Sequence, residues 1–130
     1  MRIPIQIYEH SAEPLYRQIE MQLRSLIISG QLEEGTLLPS IRELAGDLNC
    51  SVITVRRVYQ DLENEGLLRT RQGTGTFVAK VGDHEKSNFR HQAVEKALDE
   101  ALDIGKSVQF TEEEMRQIFM SRLKLKYDSK

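Results

Sequence analysis

Two helix starts follow each other closely between Ser40 and Gly66, and this feature restricts the fold more than any other. Ser40 and Glu43 have the S-x-x-E spacing of a capping box, which predicts a helix beginning after Ser40. Its apolar face comprises Ile41, Leu44, Ala45 and Leu48. Asn49 tolerates left-handed backbone geometry and Ser51 is a favoured N-cap, so a second helix follows a tight turn. The pattern predicts a helix-turn-helix.

The second helix of the pair is predicted over about 52–65, with Gly66 as a left-handed C-cap. Its inward stripe consists of Val55, Val58, Tyr59 and Leu62. At 100° per residue, the opposite face carries Ile53, Arg56, Arg57, Gln60 and Asn64. An exposed face rich in cationic and amide side chains is therefore expected on this helix.

The neighbouring segments complete a small domain around this pair. Apolar residues recur at helical spacing over 14–29, which predicts a helix with Pro14 as its first residue. The runs 67–71 and 76–80 are rich in β-forming residues, and the glycine-containing stretch 72–75 between them predicts a hairpin. Residues 3–7 alternate like a short edge strand, in which Pro4 removes one backbone donor.

The C-terminal part is predicted to be helical. Residues 81–87 are polar and interrupt the periodicity, so we place a domain boundary there. One helix is predicted over about 88–104, stopped by Gly105, and another over 112–125, where Thr111 and Glu114 form a capping box. The predicted fold is mainly α with one small β-hairpin. It comprises a winged helix-turn-helix domain over 1–80 and a two-helix dimerisation segment over 81–130.

The apolar faces of the two C-terminal helices exceed what a two-helix hairpin can bury by itself. They comprise Val94, Leu98 and Leu102 on the first helix, and Met115, Ile118, Phe119 and Leu123 on the second. A second subunit is the economical cover, since homo-oligomers are most often two-fold dimers. A tail folded back onto the first helix of its own chain is the alternative that the sequence leaves open.

The charge balance excludes a chain that binds polyanions through bulk positive charge. Eighteen Lys and Arg residues face 20 Asp and Glu residues, which gives a net charge of -2. Only the central part tips positive, because residues 38–80 carry 6 basic and 5 acidic side chains. Any contact with nucleic acid must therefore depend on how the cations are distributed.

The remaining composition favours a cytoplasmic protein that is not an enzyme. Cys50 is the single cysteine, so no internal disulfide forms; a small buried side chain is favoured there over a redox sensor. No signal peptide and no membrane-spanning run are found. His10, His84 and His91 lack metal-ligand spacing, and no nucleophile elbow, phosphate loop or paired catalytic carboxylate is present. Neither a cofactor nor a metal is predicted.

Two short helices followed by a basic hairpin are the layout of a winged helix-turn-helix, which suits double-stranded DNA. The major groove accepts one α-helix, and Ser51, Thr54 and Arg56 near the helix start could reach phosphates or base edges. Glycines at the hairpin tip allow the backbone to approach the sugar-phosphate rim closely. Operator DNA is therefore the predicted partner.

An ordered series of short motifs resembles the DNA-binding domain of GntR-family transcriptional regulators. The series covers about half of the chain. It reads Gly30-x-Leu32, Gly35, Leu38-Pro39-Ser40-x-Arg42-x-Leu44-Ala45, Ser51-x-x-Thr54-Val55-Arg56, Tyr59, Leu62-Glu63-x-Glu65-Gly66-Leu67 and Arg71-x-Gly73-x-Gly75-Thr76-Phe77-Val78. Each dipeptide alone is weak, but the order and spacing together are specific.

The resemblance implies a dimeric bacterial repressor. About fifty residues follow the hairpin, too few for the effector domain of the larger subfamilies. The tail resembles that of the short-tailed YtrA subfamily, in which C-terminal helices hold the dimer together and transporter genes are often controlled. The resemblance assigns operator contacts to Arg42, Ser51, Thr54, Arg56, Gly73, Thr74 and Gly75. Many members have Arg directly after the serine, whereas this chain has Val52, so one base-reading donor is missing.

Some alternatives stay open at this point. Arg57 is assigned a phosphate contact, although an exposed Arg on a helix is often only solvated. Arg71 shares one strand face with Arg69, and that face is either on the DNA side or merely hydrated. The competing function is a winged helix that binds another protein, for which an acidic or apolar outer face would be expected. Because 51–57 holds two arginines and no acid, DNA is favoured. Whether an effector binds is not decided by the sequence.

Overall fold

The computed structural model describes residues 2–128, and the chain divides into two compact units. The first unit extends to Lys86 and the second begins at Ser87. The elements are α1 (Leu15–Ile28), α2 (Ile41–Leu48), α3 (Val52–Asn64), β1 (Leu68–Arg71), β2 (Gly75–Val78), α4 (Asp83–Ser107) and α5 (Glu112–Tyr127). The structure is therefore mainly helical with one hairpin, as the sequence predicts.

Helix α3 is the centre of the first unit, because α1, α2 and β1 all pack against it. Its inward stripe of Val55, Val58, Tyr59 and Leu62 is buried, as expected from the wheel. The rest of this core comes from Ile19, Leu23 and Ile27 of α1, Leu44 and Ala45 of α2, Leu67, Leu68 and Val78 of the hairpin region, and Ile3, Leu32 and Leu38 of the connecting segments. The apolar stripes of the three helices thus contribute to one core.

The hairpin is antiparallel, and its strands are shorter than predicted. Leu68 pairs with Val78 and Arg71 pairs with Gly75, so the connection is 72–74 and Gly75 lies in β2. A third segment joins on the other side of β2. The Leu38 N–H donates to the Thr76 carbonyl oxygen at 2.8 Å, and the Val78 N–H donates to the Thr36 carbonyl oxygen at 2.9 Å. The hairpin is thus tied to the segment that leads into α2.

The edge strand predicted over residues 3–7 is wrong. The segment is not part of a sheet, and its backbone is held by glutamine side chains of α1 instead. The Gln6 N–H donates to Gln22 Oε1 at 2.9 Å, and Gln22 Nε2 donates back to the Gln6 carbonyl oxygen at 2.7 Å. Gln18 makes the same pair of bonds with Tyr8. These side-chain amides replace the neighbouring strand that the alternating pattern normally requires.

The helix limits also differ from the prediction at several ends. Pro14 is the N-cap of α1 rather than its first residue. Helix α4 begins at Asp83, inside the predicted 81–87 break, and passes Gly105 to end at Ser107. Gly105 does not end the helix; it is buried beside the Met115 side chain of α5. The left-handed residue after α4 is Gln109, with φ of 63°.

Helix α5 starts where its capping box predicts and extends two residues beyond the predicted end. The Glu114 N–H donates to Thr111 Oγ1 at 3.1 Å, and the Thr111 N–H donates to Glu114 Oε1 at 2.9 Å. In the second unit, the apolar side chains of α4 and α5 remain substantially exposed. The exposed set comprises Val94, Leu98, Leu102, Ile118, Phe119 and Leu123, whereas Met115 is half-buried.

Candidate nucleic-acid interface

The helix-turn-helix is held in shape by two N-terminal caps and one left-handed residue. The Glu43 N–H donates to Ser40 Oγ at 3.1 Å, and the Ser40 N–H donates to Glu43 Oε1 at 3.0 Å. Hydrogen bonds from the backbone and then the side chain of Ser40 lower the pKa of the Glu43 carboxyl. Asn49 ends α2 with φ of 55°, and Ser51 Oγ accepts from the Thr54 N–H at 3.1 Å to start α3. The predicted caps are confirmed.

The start of α2 is also held to α3 by a buried hydrogen bond. The buried Tyr59 hydroxyl donates to the Pro39 carbonyl oxygen at 2.7 Å, which joins the middle of α3 to the residue before the α2 cap. Burial raises the pKa of Tyr59 well above its ordinary value. Because the phenol remains protonated throughout the physiological range, this hydrogen bond fixes the angle between the helices independently of pH.

The outer face of α3 presents Ile53 and the two arginines predicted from the wheel. Ile53 is 76% exposed. Arg56 is also exposed, and within residues 2–128 no carboxylate lies within 4.0 Å of its guanidinium nitrogens. Arg42, in the first turn of α2, is equally exposed and equally unpaired over the same range. These two cations are available to a phosphate or a base edge.

Arg57 differs from its neighbour because it has partners within the chain. Its guanidinium carbon lies 3.6 Å from the centre of the Tyr16 ring on α1, a cation–π geometry. Its Nε is 3.9 Å from Asp61 Oδ2 one turn later on α3. Arg57 therefore helps to fix α1 against α3 while more than half of its side chain stays exposed. The sequence missed this contact because Tyr16 belongs to a different helix.

Ser51 and Thr54 form a polar pair at the start of α3. In addition to the N-cap bond, Ser51 Oγ and Thr54 Oγ1 lie 2.9 Å apart and share a hydrogen bond. Both hydroxyls thus have local partners before any DNA arrives. Each hydroxyl oxygen retains further acceptor capacity, so a phosphate or base contact remains chemically open to both residues.

The tip of the hairpin, which we call the wing, depends on two glycines with positive φ. Gly73 has φ of 80° and Gly75 has φ of 134°. Thr74 lies between them, exposed, and its N–H donates to the Arg71 carbonyl oxygen at 3.0 Å. A Cβ at Gly75 would lie 2.8 Å from Leu37 Cδ1, so a larger residue there requires the Leu37 side chain to move in addition to adopting the positive φ.

The two faces of β1 have different surroundings. Thr70 Oγ1 donates to Glu63 Oε1 on α3 at 2.8 Å, which fastens the wing to that helix. Arg69 and Arg71 point to the other face. There they line a surface cleft together with Glu34, Phe77 and Lys80. The sequence therefore predicted the cationic face of the hairpin, but it did not predict the hydrogen bond between Thr70 and Glu63.

A second cluster of charged groups joins α1 to α3 behind the interface. Arg24 donates to both carboxylate oxygens of Glu65, at 3.0 and 2.6 Å. Glu20 lies nearby with its side chain only 12% exposed. Burial, followed by a hydrogen bond with Asp61, raises the pKa of the Glu20 carboxyl, and Arg24 opposes this shift. The cluster therefore links α1 to the C-terminal end of α3.

Other kinds of site receive no support in the part of the chain that is described. Among residues 2–128, no group of three or more His, Cys, Asp or Glu side chains is arranged to hold a metal ion. Cys50 is half-buried in the turn, and burial raises the pKa of its thiol. Over the same residues, no helix combines the length and the apolar character needed to cross a bilayer.

A capped helix-turn-helix followed by a wing, with Arg56 exposed and unpaired within residues 2–128 on the outer face of its second helix, defines a winged-helix regulator that binds DNA. Residues 15–78 match the family described as "Bacterial regulatory proteins, gntR family". The chain is 32% identical over 108 residues to the HTH-type transcriptional regulator YhcF of Bacillus subtilis, across 81% of this chain and 86% of YhcF. The chain belongs to the GntR family.

Two further similarities concern a repressor and a DNA complex. Over 76 residues the chain is 40% identical to the HTH-type transcriptional repressor YtrA of Bacillus subtilis, and the match spans 58% of each chain. The DNA-binding domain of AraR, solved in complex with operator ORX1, is 29% identical with a TM-score of 0.53. That match covers 61% of this chain and 99% of the AraR domain. The chain is a GntR-family transcriptional regulator.

Proposed function

We propose that the chain recognises a specific operator by placing α3 in the major groove and the wing against the sugar-phosphate backbone. The outer face of α3 carries this proposal, because Ile53 and Arg56 are exposed near its start while the opposite stripe is buried. The AraR domain, which shares this fold, is found on an operator. Helix α3 of this chain is the corresponding reading element.

Each predicted contact residue has a role in this proposal. Arg56 reads a base edge, and Arg57 reaches a phosphate with the exposed part of its guanidinium. The remaining residues contact the backbone of the operator: Arg42, Ser51 and Thr54 from the two helices, and Arg71, Gly73, Thr74 and Gly75 from the wing. The missing arginine at Val52 reduces the hydrogen-bond donors available to bases, so Arg56 carries a larger share of the discrimination.

The test uses a duplex selected from a randomised DNA library by the full-length chain. Arg56→Ala is expected to weaken binding to this duplex by about 1–3 kcal/mol, with helix content unchanged, because one base contact is lost. Arg90→Ala on α4 is the control, since it removes an exposed arginine outside the first unit. Fluorescence anisotropy measures both variants. Equal affinities for wild type and Arg56→Ala would remove Arg56 from the interface.

The competing function is a winged helix that binds another protein. The N-terminal half of α3 argues against it, because the exposed charges there are Arg56 and Arg57. The acidic side chains lie further along, where Asp61 accompanies Arg57, Glu63 holds Thr70 and Glu65 holds Arg24. If the library selection enriches no sequence at all, the protein-binding function becomes the better one.

We also propose that α4 and α5 form a two-fold dimer with a second copy of this chain. A stretch of α4 and α5 exposes Leu98, Leu102, Ile118 and Phe119, which line one apolar groove. A second copy suits this groove because, in a two-fold dimer, the apolar surface of one copy packs against the same surface of the other. If the chain is a monomer, the alternative in which the tail folds back onto α1 is the better explanation.

Phe119→Arg tests the dimer. The guanidinium would be buried without a partner in the interface, so we expect sedimentation to show a dimer for the wild type and a monomer for the variant. Met21→Arg is the matched control, because Met21 on α1 and Phe119 are each 47% exposed. A wild-type chain that sediments as a monomer at micromolar concentration, with and without the selected duplex, would contradict the dimer.

The domain assignment and the biological role follow from these two proposals. Residues 1–80 bind the operator and residues 81–130 form the dimerisation segment. The resemblance to YtrA, named a repressor, favours repression of a bacterial operon, and an operator-binding protein works in the cytoplasm with the chromosome. Footprinting on the promoter of its own operon, with candidate metabolites added, identifies the regulated genes and any effector.

A further inference from the structure

Ile53 is a large apolar side chain in a position where water normally favours a polar one. It is 76% exposed, compared with 51% for Leu37 in the same unit. It lies in the first turn of α3, on the face opposite the buried stripe. Nothing in the described core requires an isoleucine here, since the core residues of α3 are on the opposite face.

Among the side chains of this turn, Ile53 is the most accessible to a binding partner. Val52 is half-buried, and the Thr54 hydroxyl is paired with Ser51. Arg56 and Arg57 stand one turn later on the same face, at i+3 and i+4 from Ile53. An element that enters a groove with its N-terminal turn first therefore presents an aliphatic surface flanked by cations.

The major groove offers one apolar group to such a surface. The edges of guanine, cytosine and adenine present hydrogen-bond donors and acceptors, whereas thymine also presents its C5-methyl group. We propose that Ile53 is a specificity-determining residue that packs against the C5-methyl group of a thymine in each operator half-site. This inference rests on the proposed docking of α3 in the major groove.

The experiment removes the methyl group from the DNA and the aliphatic side chain from the protein. Deoxyuridine replaces each thymine of the selected duplex in turn, which deletes only the methyl group. For the wild-type chain, we expect one thymine per half-site at which this replacement weakens binding about fourfold, the worth of burying one methyl group. For Ile53→Ala, the same replacement has no effect, since the partner is already absent.

Met21→Ala is the control, because it truncates an exposed apolar side chain on α1 and must retain the wild-type deoxyuridine effect. Ile53→Ala is expected to fold normally, since the side chain is exposed and alanine is a better helix former. Three results would overturn the inference: a selected half-site without thymine, no thymine sensitive to deoxyuridine, or the same sensitivity in Ile53→Ala. Failure of the docking itself is recognised separately, by an unchanged affinity of Arg56→Ala.

Discussion

At the scale of single residues, the interface contains side chains that hold the helices and side chains that are available to DNA. The sequence identified Ser51 and Arg56 correctly as a cap and an exposed cation, because both depend on local spacing within α3. It did not identify the partner of Arg57, because the Tyr16 ring reaches it only through tertiary packing. The spacing of residues along one helix does not predict a role that depends on a contact with another helix.

Gly75→Ala is expected to destabilise the wing. Its φ of 134° is rarely adopted by residues with a side chain, and the new Cβ would meet Leu37 at 2.8 Å. We expect a loss of about 1–3 kcal/mol in the free energy of unfolding and weaker binding to the selected duplex. Gly46→Ala is the control, because Gly46 lies in α2 with open space around it. Thermal melting and anisotropy that match wild type for Gly75→Ala would show a passive wing tip.

At the scale of elements, the starts of the three helices with side-chain caps were predictable, whereas the start of α4 and the ends of α4 and α5 were not. A helix cap depends on residues that are close in sequence, so Ser40, Ser51 and Thr111 indicated where α2, α3 and α5 begin. Gly105 suggested an end for α4, but the helix continues to Ser107 and the left-handed residue is Gln109, which is not the glycine that the pattern favours. The pairing of Thr36 with Val78 was missed because it joins segments far apart in sequence.

The packing of α1 on α3 is expected to weaken as the pH rises. The pKa of Glu20 is raised in the folded chain, so its favourable contribution is present below the unfolded pKa and is lost as the pH rises through the folded pKa. The window begins near the ordinary glutamate value of about 4.3 and extends upward. Glu20→Gln removes the dependence of stability on pH that Glu20 contributes, while keeping a hydrogen-bond donor for Asp61.

The measurement is the free energy of unfolding in urea across this pH range. The difference between wild type and Glu20→Gln isolates Glu20, because Glu43, whose lowered pKa gives stability that is lost on acidification, is present in both proteins. Glu33→Gln is the control on an exposed carboxylate. Parallel pH profiles for wild type and Glu20→Gln would show that the carboxylate is solvated in the folded state.

At the scale of the whole molecule, the proposed dimer determines how the chain meets an operator with two half-sites. One reading helix per subunit contacts few base pairs, and linking two of them makes the second contact intramolecular. The sequence predicted a helical tail whose apolar side chains need a cover, and α4 and α5 do leave large apolar side chains exposed. It could not predict the half-site spacing, because that distance depends on how two complete chains associate.

Deleting one half-site from the selected duplex tests this linkage. For the wild-type chain we expect an affinity loss of at least about a hundredfold, because the effective concentration of the second reading helix is lost. For Phe119→Arg, which is expected to be a monomer, both duplexes bind with similar weak affinity. Titrations at one fixed salt concentration are needed, since phosphate contacts make all of these affinities depend on salt. Equal losses for both proteins would contradict the linkage.

The separation of buried and outward residues on α3 also has an evolutionary consequence. The cap at Ser51 and the stripe from Val55 to Leu62 hold the helix, while Ile53 and Arg56 make no described contribution to the core. Substitutions at such exposed positions usually change stability by less than about 0.5 kcal/mol. The preferred operator can therefore drift among descendants of this protein through the outward positions alone, without any compensating change in the scaffold.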